Sequence, residues 1–171
     1  MGFQKKVGLQ TAIGTPGLEV APGQAVYTAF NYVSDGTVQA GTFAFEGDAA
    51  QGTGEAFGIA TYTKSSGRLL GFVERNLVGT LTQLEDGSEV YPVGTGLAIA
   101  KRGQYYAIAS GSATAGQSVL CDPATGKVTY GEAGTTNDTG WTVVLPQGVT
   151  TVGEGDLVIY ENLGLAVKTT A

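Results

Sequence analysis

Hydrophobic and polar residues alternate with a period of two along much of this chain, in short runs that end at glycine or proline. Phe43 and Phe45 share one face of such a run, and Trp141, Val143 and Leu145 share one face of another. A period of two places every second side chain on the same side of a strand. No window of eleven or more residues keeps a helical period without a glycine or proline inside it. The pattern therefore predicts strands and no helix.

The predicted strands number about ten, which at this spacing is typical of a jelly-roll-like sandwich or barrel. Turns are predicted at Asp35-Gly36 and at Lys101-Arg102-Gly103, and the clearest hairpin has Gly126 in a left-handed conformation. The run 69–84 is too long for one strand and is predicted to bend at Gly71 or Gly79. The predicted strands cover 26–33, 37–46, 57–63, 69–84, 97–99, 105–109, 119–121, 127–130, 141–145, 157–160 and 165–168.

The first 25 residues have a different pattern, because Gly14, Pro16, Gly17, Pro22 and Gly23 interrupt them and their apolar residues are sparse. This predicts an extended N-terminal arm, residues 1–25, ahead of a β-rich domain, residues 26–171. Fully extended, such an arm would span on the order of 80 Å.

Composition narrows the class of protein. A length of 171 residues suits one domain, and 28 glycines with only 14% charged residues favour turns over helices. The net charge is −6, and no basic run exceeds two residues, so a nucleic-acid site is not expected. The chain has no run of about 18 apolar residues and no apolar leader, so we expect no membrane span and synthesis in a cytoplasm.

The sequence lacks the residues on which most catalysis depends. It contains no histidine, and its single cysteine, Cys121, is expected to be a small buried residue at a strand end. Glu85, Asp86 and Glu89 surround a turn, but their spacing does not match a calcium loop. We therefore predict no catalytic residue, no metal, no cofactor and no enzymatic activity.

Five segments, taken in order, resemble the structural cement proteins of tailed bacteriophages, which lie on the outside of the capsid and hold the shell together. They are 2–7, 38–45, 71–76 (Gly-Phe-Val-Glu-Arg-Asn), 116–119 and 155–162. The family frequently has histidine where Glu74 stands, so this chain departs from it there. The resemblance implies a jelly-roll-like protein on the capsid surface that clamps neighbouring major capsid subunits non-covalently. It also implies synthesis in the host bacterial cytoplasm and contacts with other copies of itself, as a dimer or trimer. The composition agrees with the absence of nucleic acid and membrane as partners.

The resemblance also suggests which residues contact the capsid. Glu74 and Arg75 are either ordinary surface charges worth under about 1 kcal/mol or a contact pair at a subunit surface. In the arm, apolar anchors alternate with polar residues that could pair with the shell. The capsid-contact candidates are Phe3, Gln4, Lys5, Lys6, Val7, Leu9, Ile13, Glu74 and Arg75.

Two other functions compete with the capsid role. One is a tail-associated or carbohydrate-binding β module of a virion, in which aromatic side chains stack on sugars. The other is a metal-independent hydrolase or lyase, which the missing histidine disfavours. The aromatic candidates for sugar stacking are Tyr91, Tyr105, Tyr106, Tyr130 and Trp141.

Overall fold

The computed structural model describes residues 14–48, 58–64, 67–76 and 90–164. These residues form thirteen strands and no helix, which confirms the all-β prediction. The predicted strand at 165–168 and the alternative bend at Gly79 lie outside them. The strands are Val26–Tyr27 (β1), Tyr32–Ser34 (β2), Phe43–Glu46 (β3), Gly58–Thr61 (β4), Leu69–Val73 (β5), Gly96–Leu97 (β6), Ile99–Ile108 (β7), Ala113–Thr114 (β8), Ser118–Cys121 (β9), Val128–Gly131 (β10), Asp138–Val144 (β11), Thr151–Val152 (β12) and Leu157–Asn162 (β13).

Eleven of these strands form one sheet, in the order β10-β9-β11-β13-β7-β5-β3-β4-β2-β6, with β1 added on β7. The remaining two, β12 and β8, pair with each other. Only β2 and β4 run parallel among the described pairs, so the sheet is mixed. The predicted β9–β10 hairpin is confirmed, and Gly126 has the left-handed φ of 68° that its turn requires.

The longest strand, β7, corrects the turn predicted at residues 101–103. It runs from Ile99 to Ile108 without a break, and neighbours on both edges hold it extended. Arg102 pairs with Val26 of β1, and Gly103 pairs with Asn162 of β13. Pairing with two strands therefore overrides the local turn propensity of a Lys-Arg-Gly sequence.

The second half of the predicted arm lies along β7. The amide of Gly17 donates to the carbonyl of Tyr106 at 2.8 Å, and the amide of Val20 donates to Gln104 at 2.8 Å. Glu19 forms an isolated antiparallel β-bridge with Tyr105. On the other edge of β7, Tyr105 pairs with Tyr160 of β13. Residues 17–20 thus continue the edge that β1 forms farther along the same strand. The predicted single strand at 26–33 is split into β1 and β2.

Two buried clusters lie against the faces of the sheet. The larger contains a group of contacting rings in which Trp141 lies 5.7 Å from Phe72 and 6.2 Å from Phe43 between ring centroids. Phe43 and Phe45 belong to this cluster, while Ala44 between them belongs to the smaller one. Strand β3 is therefore buried on both faces, and the predicted shared face of its two phenylalanines is confirmed.

Candidate functional site

Strand β5 positions the candidate contact pair, because Glu74 and Arg75 follow its last residue. The amide of Glu74 donates to the carbonyl of Ala98 at 2.9 Å, which extends the pairing of β5 with β7 by one step. Within β5, Gly71 has φ of 149° and lies next to the register shift between β3 and β5, and the strand continues through it to Val73. The bend predicted at Gly71 stays a prediction. A Cβ there would overlap the carbonyl oxygen of Ala100. Only glycine allows β5 and β7 to approach this closely.

The Arg75 side chain is directed into the protein and is only 7% exposed. Its Nε donates to the carbonyl of Pro16 at 2.7 Å, and its own amide donates to the carbonyl of Gly17 at 2.8 Å. Gly17 has φ of +85°, and a Cβ at that position would stand 2.9 Å from the Cβ of Arg75. Arg75 therefore fastens the 16–17 turn of the N-terminal segment to the end of β5.

Glu74 occupies a more open position beside β1. The hydroxyl of Tyr27 donates to Oε2 of Glu74 at 2.5 Å. Burial of the phenol, together with this bond to a carboxylate, raises the pKa of Tyr27 to about 12. The bond gives the partly exposed Tyr27 ring a fixed position, because its hydroxyl is held at a defined point on the sheet.

A buried phenol holds the backbone of the same segment. The hydroxyl of Tyr91 donates to the carbonyl of Glu74 at 2.8 Å and accepts from the amide of Asn76 at 2.7 Å. The Tyr91 side chain is fully buried, and its amide donates to the carbonyl of Val38. Residues 74–76 are therefore a junction at which β5, the N-terminal segment and the smaller core cluster meet.

The structure gives the two charges of the candidate pair separate surroundings. Arg75 points inward to the backbone of residues 16–17, whereas Glu74 accepts a bond from a side chain near the surface. Contact of either residue with a capsid subunit stays a prediction. The arm candidates Phe3, Gln4, Lys5, Lys6, Val7, Leu9 and Ile13 lie outside the described residues.

Chemistry at the described residues is limited. They contain no group of three or more His, Cys, Asp or Glu side chains that could hold a metal ion. Cys121 is buried at the end of β9, as predicted, and burial followed by the charge of Asp122 raises the pKa of its thiol to about 12. Such a thiol is a poor nucleophile at neutral pH. The acidic cluster Glu85, Asp86 and Glu89 falls outside the described residues. None of the described segments forms a helix that is long and apolar enough to cross a membrane.

Four of the five aromatic residues considered for sugar stacking serve the core instead, whereas Tyr106 is half-buried and its ring lies next to Gly14. Tyr91, Tyr105 and Trp141 are at most 1% exposed, so no ring face is open to a ligand. Tyr130 shares a hydrogen bond of 2.7 Å with the hydroxyl of Tyr160 and is half-buried. Sequence reasoning missed a different aromatic feature, an exposed apolar segment at residues 26–30. Its signal in the sequence is the absence of any charged residue between Glu19 and Asp35.

Comparison with known proteins gives two matches. A family model described as "Structural cement protein (E217 gp24/Pam3 gp6)" matches residues 3–162. A chain in the solved structure titled "The capsid of Myoviridae Phage XM1" has a similar fold, with a TM-score of 0.57 and 13% sequence identity. The similarity covers 94% of this chain and 97% of that one. No curated protein matches the sequence.

Proposed function

The chain belongs to the structural cement protein family of phages, and we propose that it clamps neighbouring major capsid subunits together from the outer surface of the shell. It is a structural component of the virion capsid. The clamp is non-covalent, and other copies of the chain are further partners. The observation that carries this proposal is the family match over residues 3–162, which includes both the N-terminal segment and the sheet.

A clamp needs a body that keeps its shape under load. The large aromatic cluster supplies such a body, since Phe72 lies within 6.0 Å of the rings of Phe43, Tyr105, Trp141 and Tyr160 between centroids. Aromatic pairs of this kind contribute about 0.5–1.5 kcal/mol each beyond the burial of their area. The N-terminal segment is joined to this body at residues 16–20 and not merely by the chain itself.

We propose that the predicted arm is the part of the clamp that extends along the shell and contacts it. Residues 16–20 are bonded to β7 and to Arg75, so we assign the shell contacts to the residues before them, with Phe3, Val7, Leu9 and Ile13 as anchors. Lys5, Lys6 and Gln4 would pair with polar groups of the capsid. Joining two contacts in one chain makes the second effectively intramolecular, which raises avidity by roughly 10²- to 10⁴-fold.

The proposal also includes self-association on the shell and no catalytic role. A symmetric shell offers repeated sites, and a dimer or trimer would be stable there if copies bury more than about 1,000 Å² between them. The absence of histidine from the sequence and the raised pKa of the Cys121 thiol support a purely structural role.

Adding the protein to shells assembled without it tests the clamp. We expect the full-length chain to sediment with the shells and to raise their disassembly temperature in calorimetry. A variant lacking residues 2–13 should keep the melting temperature of the free domain but bind shells at least tenfold more weakly. Full-length protein that does not sediment with shells, or that leaves their disassembly temperature unchanged, would reject the proposed function. Equal affinity of the truncated variant would reject only the role of the arm.

A further inference from the structure

A groove of about 800 Å³ lies on the part of the sheet formed by β10, β9 and β11. Its volume falls within the range of about 300–1,000 Å³ that is typical of ligand clefts. Ser118 forms its floor and pairs with Gly131 of β10 and Thr142 of β11, which also line it. Directly opposed residues of antiparallel strands share a face, and the next residue, Val119, belongs to the larger core cluster. This groove, the Ser118 groove, therefore lies on the face away from the aromatic core.

Main-chain hydrogen bonds hold the lining segments of the Ser118 groove in place. The amide of Gly116 donates to the carbonyl of Val143 at 2.8 Å. In another lining segment, Oδ2 of Asp138 accepts from the amide of Gly134 at 2.6 Å, and Oδ1 accepts from the amide of Gly140 at 2.9 Å. The groove is thus formed before a partner binds, which lowers the entropic cost of association.

The Ser118 groove presents hydrogen-bond acceptors that have no cationic partner. Ser118 is only 6% exposed, and its hydroxyl has no hydrogen bond to any described residue, although buried hydroxyls normally have one. Glu132 is exposed and has no ion pair or side-chain hydrogen bond within the described part of the chain. With the carboxylate of Asp138 they make three acceptors in one groove. A lysine ammonium has three donors and no acceptor, so its chemistry matches this set.

The charges around the Ser118 groove leave it negative. No Lys or Arg among the described residues lines it. Lys127 precedes the four-residue strand β10, which places it about 13 Å from the groove at the other end of that strand. On the neighbouring strands β13 and β7, Glu161 and Arg102 carry opposite charges that offset each other. The carboxylates of Glu132 and Asp138 therefore set the sign of the local charge.

The shape of the Ser118 groove suits a peptide. Six of its ten described lining residues are Gly, Ala or Ser, and none is aromatic. Small lining residues allow another main chain to approach closely. A sugar would find no aromatic ring there on which to stack. An extended peptide segment therefore fits the groove better than a sugar does.

We propose that the Ser118 groove binds an extended segment of a major capsid subunit, and that a lysine of this segment places its ammonium among Glu132, Asp138 and Ser118. The inference rests on the proposed function, because it names one contact of the clamp and the side chain that the capsid subunit brings to it. The arm and the groove would then hold the shell at two separate places.

Charge and topology favour a capsid subunit over a second copy of this chain. The chain has fifteen Asp and Glu against nine Lys and Arg, so a second copy is repelled by an acidic groove. Its exposed Lys101 lies within the paired strand β7, and Lys127 lies beside the paired strand β10, so neither belongs to a free extended segment. Lys5 and Lys6 contact the capsid in the proposed function.

Shell binding of full-length variants tests the assignment. Glu132→Lys reverses a carboxylate of the groove, Ala133→Trp fills the groove, and Ser118→Ala removes its unpartnered hydroxyl. The matched controls Glu154→Lys and Ala124→Trp change exposed residues that do not line it. Shells of the phage, assembled without the cement protein, serve as the probe, and the melting temperature of each free variant confirms that it folds.

We expect Glu132→Lys to weaken shell binding by roughly tenfold or more at low salt and by less at high salt, since salt screens an exposed charge. Ala133→Trp should weaken it by a similar factor at any salt concentration. Ser118→Ala should weaken it about three- to tenfold without lowering the melting temperature, because the hydroxyl bonds only the partner. Both controls should bind like the wild type.

Wild-type affinity in Glu132→Lys and Ala133→Trp would overturn the inference and leave the proposed function standing. Wild-type affinity with a lowered melting temperature in Ser118→Ala would make that hydroxyl purely structural and remove it from the site. A wild-type protein that does not bind shells would reject the proposed function itself.

Cross-linking with a carbodiimide identifies the occupant, because this reagent joins a carboxylate to an amine in direct contact. On decorated shells we expect a cross-link between Glu132 and a lysine of the major capsid subunit, and none in Glu132→Gln. A cross-link from Glu132 to Lys5, Lys6 or Lys168 of a second copy would assign the groove to copy–copy contact and overturn the inference. Absence of any cross-link at Glu132 would overturn it as well.

Discussion

Replacing Arg75 with alanine should destabilise the free protein, because this side chain holds the N-terminal segment to the sheet. The substitution leaves the carbonyl of Pro16 without the donor that reaches it at 2.7 Å. A fully buried acceptor that loses its partner costs about 1–3 kcal/mol, and this part-buried bond belongs at the lower end, about 1 kcal/mol. The packing of the buried stem is lost as well, so the free energy of unfolding should fall by roughly 2–4 kcal/mol.

Urea denaturation of the free protein measures this loss, and hydrogen exchange locates it. The amide of Gly17, which donates to Tyr106, should exchange at least about tenfold faster in Arg75→Ala, whereas the amide of Cys121, which donates to Asn137 in a remote hairpin, should change only with global stability. Arg68→Ala is the matched control, since Arg68 pairs with Glu46 at 3.0 Å on the surface and its side chain is 64% exposed. That control should leave stability unchanged.

One combination of results would contradict the stabilising role of Arg75. If Arg75→Ala leaves both the free energy of unfolding and the exchange of Gly17 at wild-type values but lowers affinity for shells, then Arg75 acts at the capsid contact. The hydrogen bonds from Arg75 to residues 16–17 would then contribute nothing to the stability of the free protein.

Further predictions concern the sheet, the thiol and the absence of helix. Gly71→Ala should cost at least about 2 kcal/mol more than Gly94→Ala, because both residues have positive φ but only the first would overlap a backbone atom; equal costs in urea denaturation would contradict the close approach of β5 and β7. Cys121 should resist alkylation in native protein at pH 8. The native state holds the proton of this thiol more tightly than the unfolded state does, so stability should fall as pH rises from about 9 to 12, and Cys121→Ala should flatten the part of that decline below pH 10. Far-ultraviolet circular dichroism should show a strand-dominated spectrum, and a helix-dominated one would refute the fold.

The strand content followed from the sequence because local patterning controls it. The alternation at Phe43 and Phe45, and again at Trp141 and Val143, correctly identified side chains that share the larger core cluster, since successive side chains of a strand point to opposite faces. The left-handed conformation of Gly126 in the β9–β10 turn could be predicted as well, because it depends on the residue itself.

Features that depend on residues far apart in the chain could not be predicted from local sequence in the same way. Residues 101–103 have turn propensity, yet pairing with β1 and β13 extends them into β7. Arg75 looked like a surface charge because its acceptor, Pro16, is 59 residues away in the chain. Tyr91 and Tyr105 suggested open aromatic rings, but tertiary packing buries both completely. The exposed apolar segment at residues 26–30 had a signal in its uncharged sequence, although only the structure shows that Val26, Tyr27 and Phe30 are exposed.

Electron cryomicroscopy of the phage capsid tests the central claim most directly, because it shows which molecules each copy of this protein contacts. We predict density for the protein on the outer surface of the shell, with every copy touching at least two major capsid subunits. Copies that each rest on a single capsid subunit, or density confined to the tail, would contradict the clamp.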